Sequence, residues 1–392
     1  MYDLVIKGGR VFDPSQNLEG ERLDIAVAGG KIARLEAKLS EPAARTLDVS
    51  GKIVTPGLID LHCHVYHGIN STAVDPDVAG VRSGVTTVVD GGSAGHANFS
   101  GWATHVIPKA KTRIIPFIHI SKNGLSTMPE LMARSDIDVE ETVRVIEMNR
   151  PLVQGIKIRA IGPTVPTLGI GIVELALEAA SSAGVQLMVH IGDMYIKEGP
   201  TLSRQLFPLL RKGDILTHSF TNNPGRILDK NNKVFPELLD AQERGVIIDT
   251  AMGRFNFAFD VALRALEQGV RPDTLATDLT EPGRRETVHS MTEMMTRFLA
   301  LGFKLPDVIA MASTNPAKAL NMDAATGSLR EGLLADISVL SQESGKWMVK
   351  DCFGGELTTD KALAPWVTLR AGEVFMPDWG PHPWGWLPEK AD

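Results

Sequence analysis

A parallel (β/α)8 barrel, joined to a small β-sandwich made from both chain ends, is the fold this sequence predicts. Three observations predict it. Between residues 57 and 324, short runs rich in Val, Ile and Leu alternate with amphipathic stretches, as in a parallel sheet wrapped by helices. Metal-competent side chains stand at the ends of several of these runs, and a barrel gathers successive strand ends at its C-terminal face. Residues 1–56 and 325–378 instead alternate apolar and polar residues around Gly-rich turns, the mark of short strands with one solvated face.

The eight expected barrel strands are LIDLHCH, VTTVVDGG, RIIPFIHI, LVQGIKIRA, VQLMVHIGD, DILTHSF, VIIDTAMG and TLATDL. Stretches such as IVELALEAASSAG and FDVALRALEQG space their apolar residues three and four apart, as helices packed on a sheet do. At the N-terminus, DLVIKGGRVFD and LDIAVAGGKIARLE read as hairpins of a small antiparallel sheet. ADISVLSQESGKWMVKD and WVTLRAGEVFM answer them near the C-terminus. Residues 379–392 (WGPHPWGWLPEK and its flanks) form a Pro- and Trp-rich tail suited to packing on the barrel or on a second copy of the chain. The long polar stretch 221–237 is expected to act as a lid or pocket wall.

Composition excludes several classes. A chain of 392 residues with 43% hydrophobic residues builds a large core without disulfide staples. Its two cysteines, Cys63 and Cys352, suit a reduced, cytoplasmic setting. The start has no basic region followed by an apolar stretch, so no signal peptide is expected, and no apolar run is long enough to span a membrane. A net charge of −7 without a basic cluster argues against nucleic acid and leaves a small molecule as the expected partner, with a homo-oligomer as the expected assembly.

The chemistry lies in one constellation: His62, His64, Lys157, His190, His218 and Asp278. Side chains alternate along a strand, so His62 and His64 point the same way, about 7 Å apart along the backbone, while Cys63 faces the helices. Any one of these histidines alone would more commonly bond a carbonyl in the core. Their recurrence at strand ends, in order, points to a metal site. Lys157 is the oddity, because a charged amine in an apolar strand is costly to bury unpaired. It either pairs with an acid such as Asp278 or sits as a neutral amine, which adds carbon dioxide to give a bridging carbamate, N6-carboxylysine.

With Gly57 preceding it, LIDLHCH, the lysine of strand four, THSF and the aspartate of ATDLT resemble the amidohydrolase superfamily. TPGLIDLHCH and GSLREGLLADISVL are similar to its dihydroorotase and D-aminoacylase branch, the deacetylase group above all. The resemblance implies two divalent ions, zinc by default and manganese or iron as alternatives. It places His62, His64 and Asp278 on one ion, His190 and His218 on the other, and carbamylated Lys157 across both. It implies Asp278 as the catalytic acid–base, serving a water activated between the ions. The superfamily's deaminases carry a helical HxxE after strand five, where this chain has GDMYIKEG.

Substrate contacts are expected from Arg159, two residues beyond Lys157 and a bidentate anchor for a carboxylate, unless a loop acid claims it. Tyr66, His67, Asn223 and Met252 are further candidates at the mouth, with Gly253 allowing the close approach of a substrate to the backbone amides. The deacetylase likeness implies an acylated small acid, such as an N-acyl amino acid or an O-acetylated mandelate. A cyclic amide of the dihydroorotate or hydantoin kind is the alternative. An assembly protein derived from such enzymes, having lost its ligands, is the non-enzymatic one.

Overall fold

In the computed structural model residues 1–194 and 202–391 are described. Seven short strands come first: β1 Tyr2–Lys7, β2 Arg10–Asp13, β3 Leu18–Arg22, β4 Asp24–Ala28, β5 Lys31–Glu36, β6 Ala43–Asp48 and β7 Ile53–Pro56. The next seven are β8 Leu58–Cys63, β9 Val85–Gly95, β10 Arg113–His119, β11 Gly155–Arg159, β12 Gln186–His190, β13 Ile215–Thr217 and β14 Ile247–Ile248. They pair in sequential order, every neighbour parallel. Four more, β15 Ile337–Lys350, β16 Glu356–Arg370, β17 Glu373–Phe375 and β18 Glu389–Lys390, end the chain.

The eighth barrel position is filled by residues 274–279 without a regular ladder. Parallel bridges Asp249–Thr274 and Cys63–Leu279 tie it to the last and first strands, closing the curled sheet. The irregularity has a local cause: Asp278 adopts φ 51°, which ends the extended run where its carboxylate must turn into the barrel. Asp278 N–H still donates to the His62 carbonyl at 2.6 Å, and His64 N–H to that of Leu279 at 3.0 Å. Ile59, Leu61, Val89, Phe117, Met188 and Ile215, all fully buried, form one apolar cluster within the sheet. Ile156, Ile158, Leu187, Val189 and Leu216 point the other way, into the cluster shared with the helices.

The terminal strands form two sheets, ordered β5-β4-β1-β6 and β17-β16-β15-β7-β2-β3, with β18 on β15. These sheets are mixed, not antiparallel as the hairpin pattern suggested. The β4–β5 hairpin takes one edge of β1, so β6 returns on the other edge in the parallel sense, and β7 likewise runs parallel to β2. Ile6, Val11, Ile25, Val54, Ile337 and Val367 fill the space between them. The long β15–β16 hairpin also reaches the barrel: Leu363 N–H donates to Thr296 Oγ1, and Arg297 Nε to the Lys350 carbonyl. No helix among the described residues is long and apolar enough to cross a membrane.

Asp336 joins the two parts. Its fully buried carboxylate pairs with Arg113 at 2.5 Å and accepts from Thr326 Oγ1 and the Ala371 N–H, linking a barrel strand to the outer sheet. Removing one partner of a buried pair leaves an uncompensated charge, at a cost of about 3–5 kcal/mol. Asp336→Ala is therefore expected to lower the stability by that order, seen as a lower urea midpoint in equilibrium unfolding.

Candidate metal centre

The strand ends deliver the constellation to one place. His62 and His64 lie at the end of β8 with ring centroids 5.4 Å apart, and the His218 ring is 5.1 Å from His62 and 4.2 Å from His190. Asp278 Oδ1 is 3.0 Å from His64 Nε2 and 3.5 Å from His62 Nε2, and its Oδ2 is 3.8 Å from His218 Nε2. Lys157 Nζ lies 2.9 Å from His62 Nε2 and 3.4 Å from Met188 Sδ. The sulfur of Cys63 turns away, to the Val89 carbonyl. Both cysteines are free thiols.

Hydrogen bonds behind the rings decide which nitrogen carries the proton. Thr217 Oγ1 donates to Asp249 Oδ2 at 2.6 Å, so it accepts from His62 Nδ1 at 2.9 Å, leaving the His62 Nε2 lone pair facing the cavity. His218 Nδ1 donates to the Ala251 carbonyl at 2.8 Å, and its buried Nε2 has no protein partner. Such partners are how proteins orient imidazoles for coordination. One donor atom each from His62, His218 and Asp278 falls within 4.8 Å of the others.

Charge states agree. Burial holds His62 and His190 neutral well below the usual imidazole range, and brings His218 down to about 4. It also draws the Lys157 amine down to about 7 against the attraction of Asp278. Burial pushes the Asp278 carboxyl up, but the His64 hydrogen bond and the charges of His218, His64 and Lys157 outweigh it and set it below its ordinary value. Neutral imidazoles, an ionised carboxylate and an orphaned buried Nε2 are what a divalent cation requires. This His/Asp set is a metal-binding site.

Space is made by glycine. A Cβ on Gly91 would sit 2.4 Å from the His62 ring, and one on Gly253 would sit 2.3 Å from Asp278 Oδ2. Gly253 thus admits the aspartate rather than a substrate, and its N–H, like that of Met252, is spent on strand closure, donating to Thr277 and Ala276 carbonyls. Met252 is fully buried in the core. Tyr66 is buried too, its hydroxyl donating to the Asn98 carbonyl and its ring stacked on Trp102. His67 is exposed, and Asn223 bonds the Phe255 carbonyl from a separate pocket. None of these four is among the residues that line the metal cavity. The 221–237 stretch closes on itself through a Leu228–Val234 bridge and likewise contributes nothing to that lining among the described residues. Arg159 does line it, but the loop acid has claimed it: Glu130 Oε2 is 3.1 Å from its Nη1.

Several buried groups were passed over in the sequence. Asp60 accepts from Thr277 Oγ1 at 2.5 Å and from the His62 and Thr277 amides, tying first strand to last. Asp90 accepts from the amides of Val65 and Ser93, and Ser93 Oγ in turn lies 3.0 Å from His64 Nδ1. His119 ends β10 in register with Lys157, accepts the Ser121 N–H on Nδ1, and keeps an unpartnered, buried Nε2. The signal was present, since His119 closes RIIPFIH just as His190 closes VQLMVH.

A closed parallel barrel with a His/Asp metal site at its mouth defines a metal-dependent hydrolase. Residues 240–370 match the profile of the Amidohydrolase family. The chain is 31% identical over 321 residues to a deacetylase of Agrobacterium fabrum, covering 81% of this chain and 77% of that one. A crystal structure described as an adenine deaminase superposes with a TM-score of 0.88 at 28% identity, over 96% of this chain and all of the other. One of a dihydroorotase gives 0.85 at 26% identity, over 96% and 98%. The chain belongs to the amidohydrolase superfamily, and it is a deacetylase-like hydrolase of that family.

Thr217 tests the tautomer argument. Thr217→Val keeps the shape but breaks the His62–Thr217–Asp249 link. Loss of such a partner costs roughly 10- to 100-fold in metal affinity. That drop is expected in competition with a chromogenic chelator, with the circular dichroism spectrum unchanged.

Proposed function

We infer that this hydrolase removes a small acyl group, by amide or ester cleavage, from a compact carboxylic acid such as an N-acyl amino acid or an O-acetylated α-hydroxy acid. The observation that carries the reading is the cavity itself. It is about 210 Å³, floored by His62, His64, Lys157, His190 and Asp278. Two guanidiniums, Arg159 and Arg254, and an apolar wall of Leu125, Met128 and Phe255 enclose the rest. Its size suits a small molecule rather than a polymer. Asp278 is the single carboxylate in that lining among the described residues, and Glu130 and Glu286, which pair with the two guanidiniums, stand outside it, so an anion with an apolar body can be met by exchange of those partners.

His62, His64 and Asp278 would hold one divalent ion, His190 and His218 a second, and Lys157, carboxylated on Nζ, would offer an oxygen to each. Zinc fits the donor set. When bound, such ions polarise the scissile carbonyl and lower the pKa of the attacking water. Asp278 Oδ1 is turned to His62 and His64, which leaves Oδ2 to take a proton from that water and pass it to the leaving group. Arg159, poised by Glu130, would receive the substrate carboxylate by exchanging one carboxylate partner for another.

Three measurements test this. Turnover is compared for acetylated amino and hydroxy acids, for cyclic amides and for adenine. Hydrolysis confined to the acylated acids is expected, and turnover of ring substrates alone would overturn the assignment. A charge-assisted contact is worth about 1.5–3 kcal/mol, so Arg159→Met should raise KM roughly 10- to 100-fold with a smaller change in kcat. Lys157→Ala should lose most turnover and regain part of it with added propionate, and undiminished activity would remove Lys157 from the metal bridge.

A further inference from the structure

A second convergence of donors lies outside the cavity. The loop after the eighth barrel position leads through the short helix Glu281–Glu286 to His289, and then into the helix Met291–Ala300, capped by Ser290. Glu293 is in the first turn of that helix, four residues beyond His289. The third member, His382, comes from the C-terminal tail. One donor atom each from His289, Glu293 and His382 lies within 4.8 Å of the others. The donor atoms of His62, His218 and Asp278 also lie within that distance of one another.

Each member is held from behind. His289 sits at φ 65°, in the left-handed region that residues other than glycine enter uncommonly. Its Nδ1 donates to the Arg284 carbonyl at 3.1 Å, which leaves Nε2 as the lone-pair nitrogen. Glu293 is buried, and Arg297 takes its Oε1 at 3.0 Å, so Oε2 is the oxygen left to face His382 Nε2 at 2.8 Å. The His289 and His382 ring centroids are 4.2 Å apart, and Trp384 stacks on His382 at 4.9 Å and 7°. A Glu293–His382 hydrogen bond alone would need one imidazole; here a second is locked beside the same carboxylate.

We propose that His289, Glu293 and His382 form a further divalent-metal site, a zinc-type ion held by two imidazoles and one carboxylate, which clasps the C-terminal tail to the loop and helix after the eighth barrel position. Two histidines and a glutamate, with water in the fourth place, are an established donor set for zinc. With bonds of about 2.1 Å, tetrahedral donors lie roughly 3.4 Å apart, so an ion entering here would displace the proton shared by Glu293 Oε2 and His382 Nε2, now 2.8 Å apart, and part the two slightly. The tail's seating does not rest on the ion alone, which would tighten a segment that other contacts already place. Asp378 pairs with Arg82 at 2.9 Å, Trp386 Nε1 donates to the Asp378 carbonyl at 2.7 Å, and β18 pairs with β15.

That independence makes the test clean. Untagged protein is stripped with chelator, reloaded with zinc, freed of excess metal and assayed by elemental analysis. His382→Gln and His289→Asn should each carry one zinc fewer per chain than wild type. Gln keeps a donor for Glu293, and Asn tolerates the left-handed backbone, so neither change should unfold the chain. His62→Ala/His64→Ala should retain the tail ion. Chelation should also speed protease cleavage within residues 379–391 of wild type, and leave the rate for His382→Gln unchanged. Equal zinc in wild type and His382→Gln would overturn the site, as would a cleavage rate indifferent to chelator.

Discussion

Four imidazoles, of His62, His64, His190 and His218, with one amine and one carboxylate converge at the mouth of an apolar barrel, the imidazoles and the amine buried and Asp278 partly exposed. Burial by itself disfavours every charge. Here it neutralises His62, His190 and His218 and brings Lys157 near neutrality, while Asp278 stays ionised through its neighbours. The mouth is thus left with lone pairs and a single negative charge, which is the state that coordination demands. Much of the surrounding structure serves to keep those lone pairs aimed.

Three carboxylates outside the cavity do the aiming. Burial pushes Asp60 up to about 7 and Asp249 to about 6, and raises Asp90 as well, despite the hydrogen bonds each accepts. Each is held by the hydrogen bonds it accepts at a desolvation cost. Asp249 orients His62 through Thr217 and also accepts from Thr274 of the closing segment, and Asp60 binds that segment through Thr277. Ligand orientation and barrel closure are one hydrogen-bond network. The left-handed backbone of His218 and Asp278, at φ 66° and 51°, fits the same account. Strain of about 1–3 kcal/mol per residue persists only where the surroundings over-determine it.

The barrel and the convergence of its candidate ligands were legible because several strands end at or beside a metal-competent residue. The period-two pattern put His62 and His64 together, and the apolar run around Lys157 marked it as buried. What stayed hidden depends on tertiary pairing. Tyr66 looked like a mouth residue because it follows His64, but the chain turns there and Trp102 takes its ring. Met252 and Gly253 offered free amides in sequence, and the closing segment consumes both. The parallel pairing of β1 with β6 and β2 with β7 rests on which strand edge is already occupied, and a hydrophobic pattern does not record that. His119 was within reach of the rule that found its neighbours.

The loop after the eighth barrel position has two duties. Starting directly after Asp278, it places Thr280 and Pro282 in the cavity and, a few residues on, His289 beside Glu293 and the tail. Its backbone is held at both ends: Glu281 N–H donates to the Thr72 carbonyl, and Arg297 gathers the carbonyls of Thr287 and Val288. A segment pinned this way transmits little flexing to the aspartate that must keep its position to within a fraction of an ångström. A tail fastened over His289 adds a third restraint from outside the barrel. On this view the Trp-rich terminus is part of what holds the mouth in shape, and the tail, the loop and the candidate ligand Asp278 form one mechanical unit.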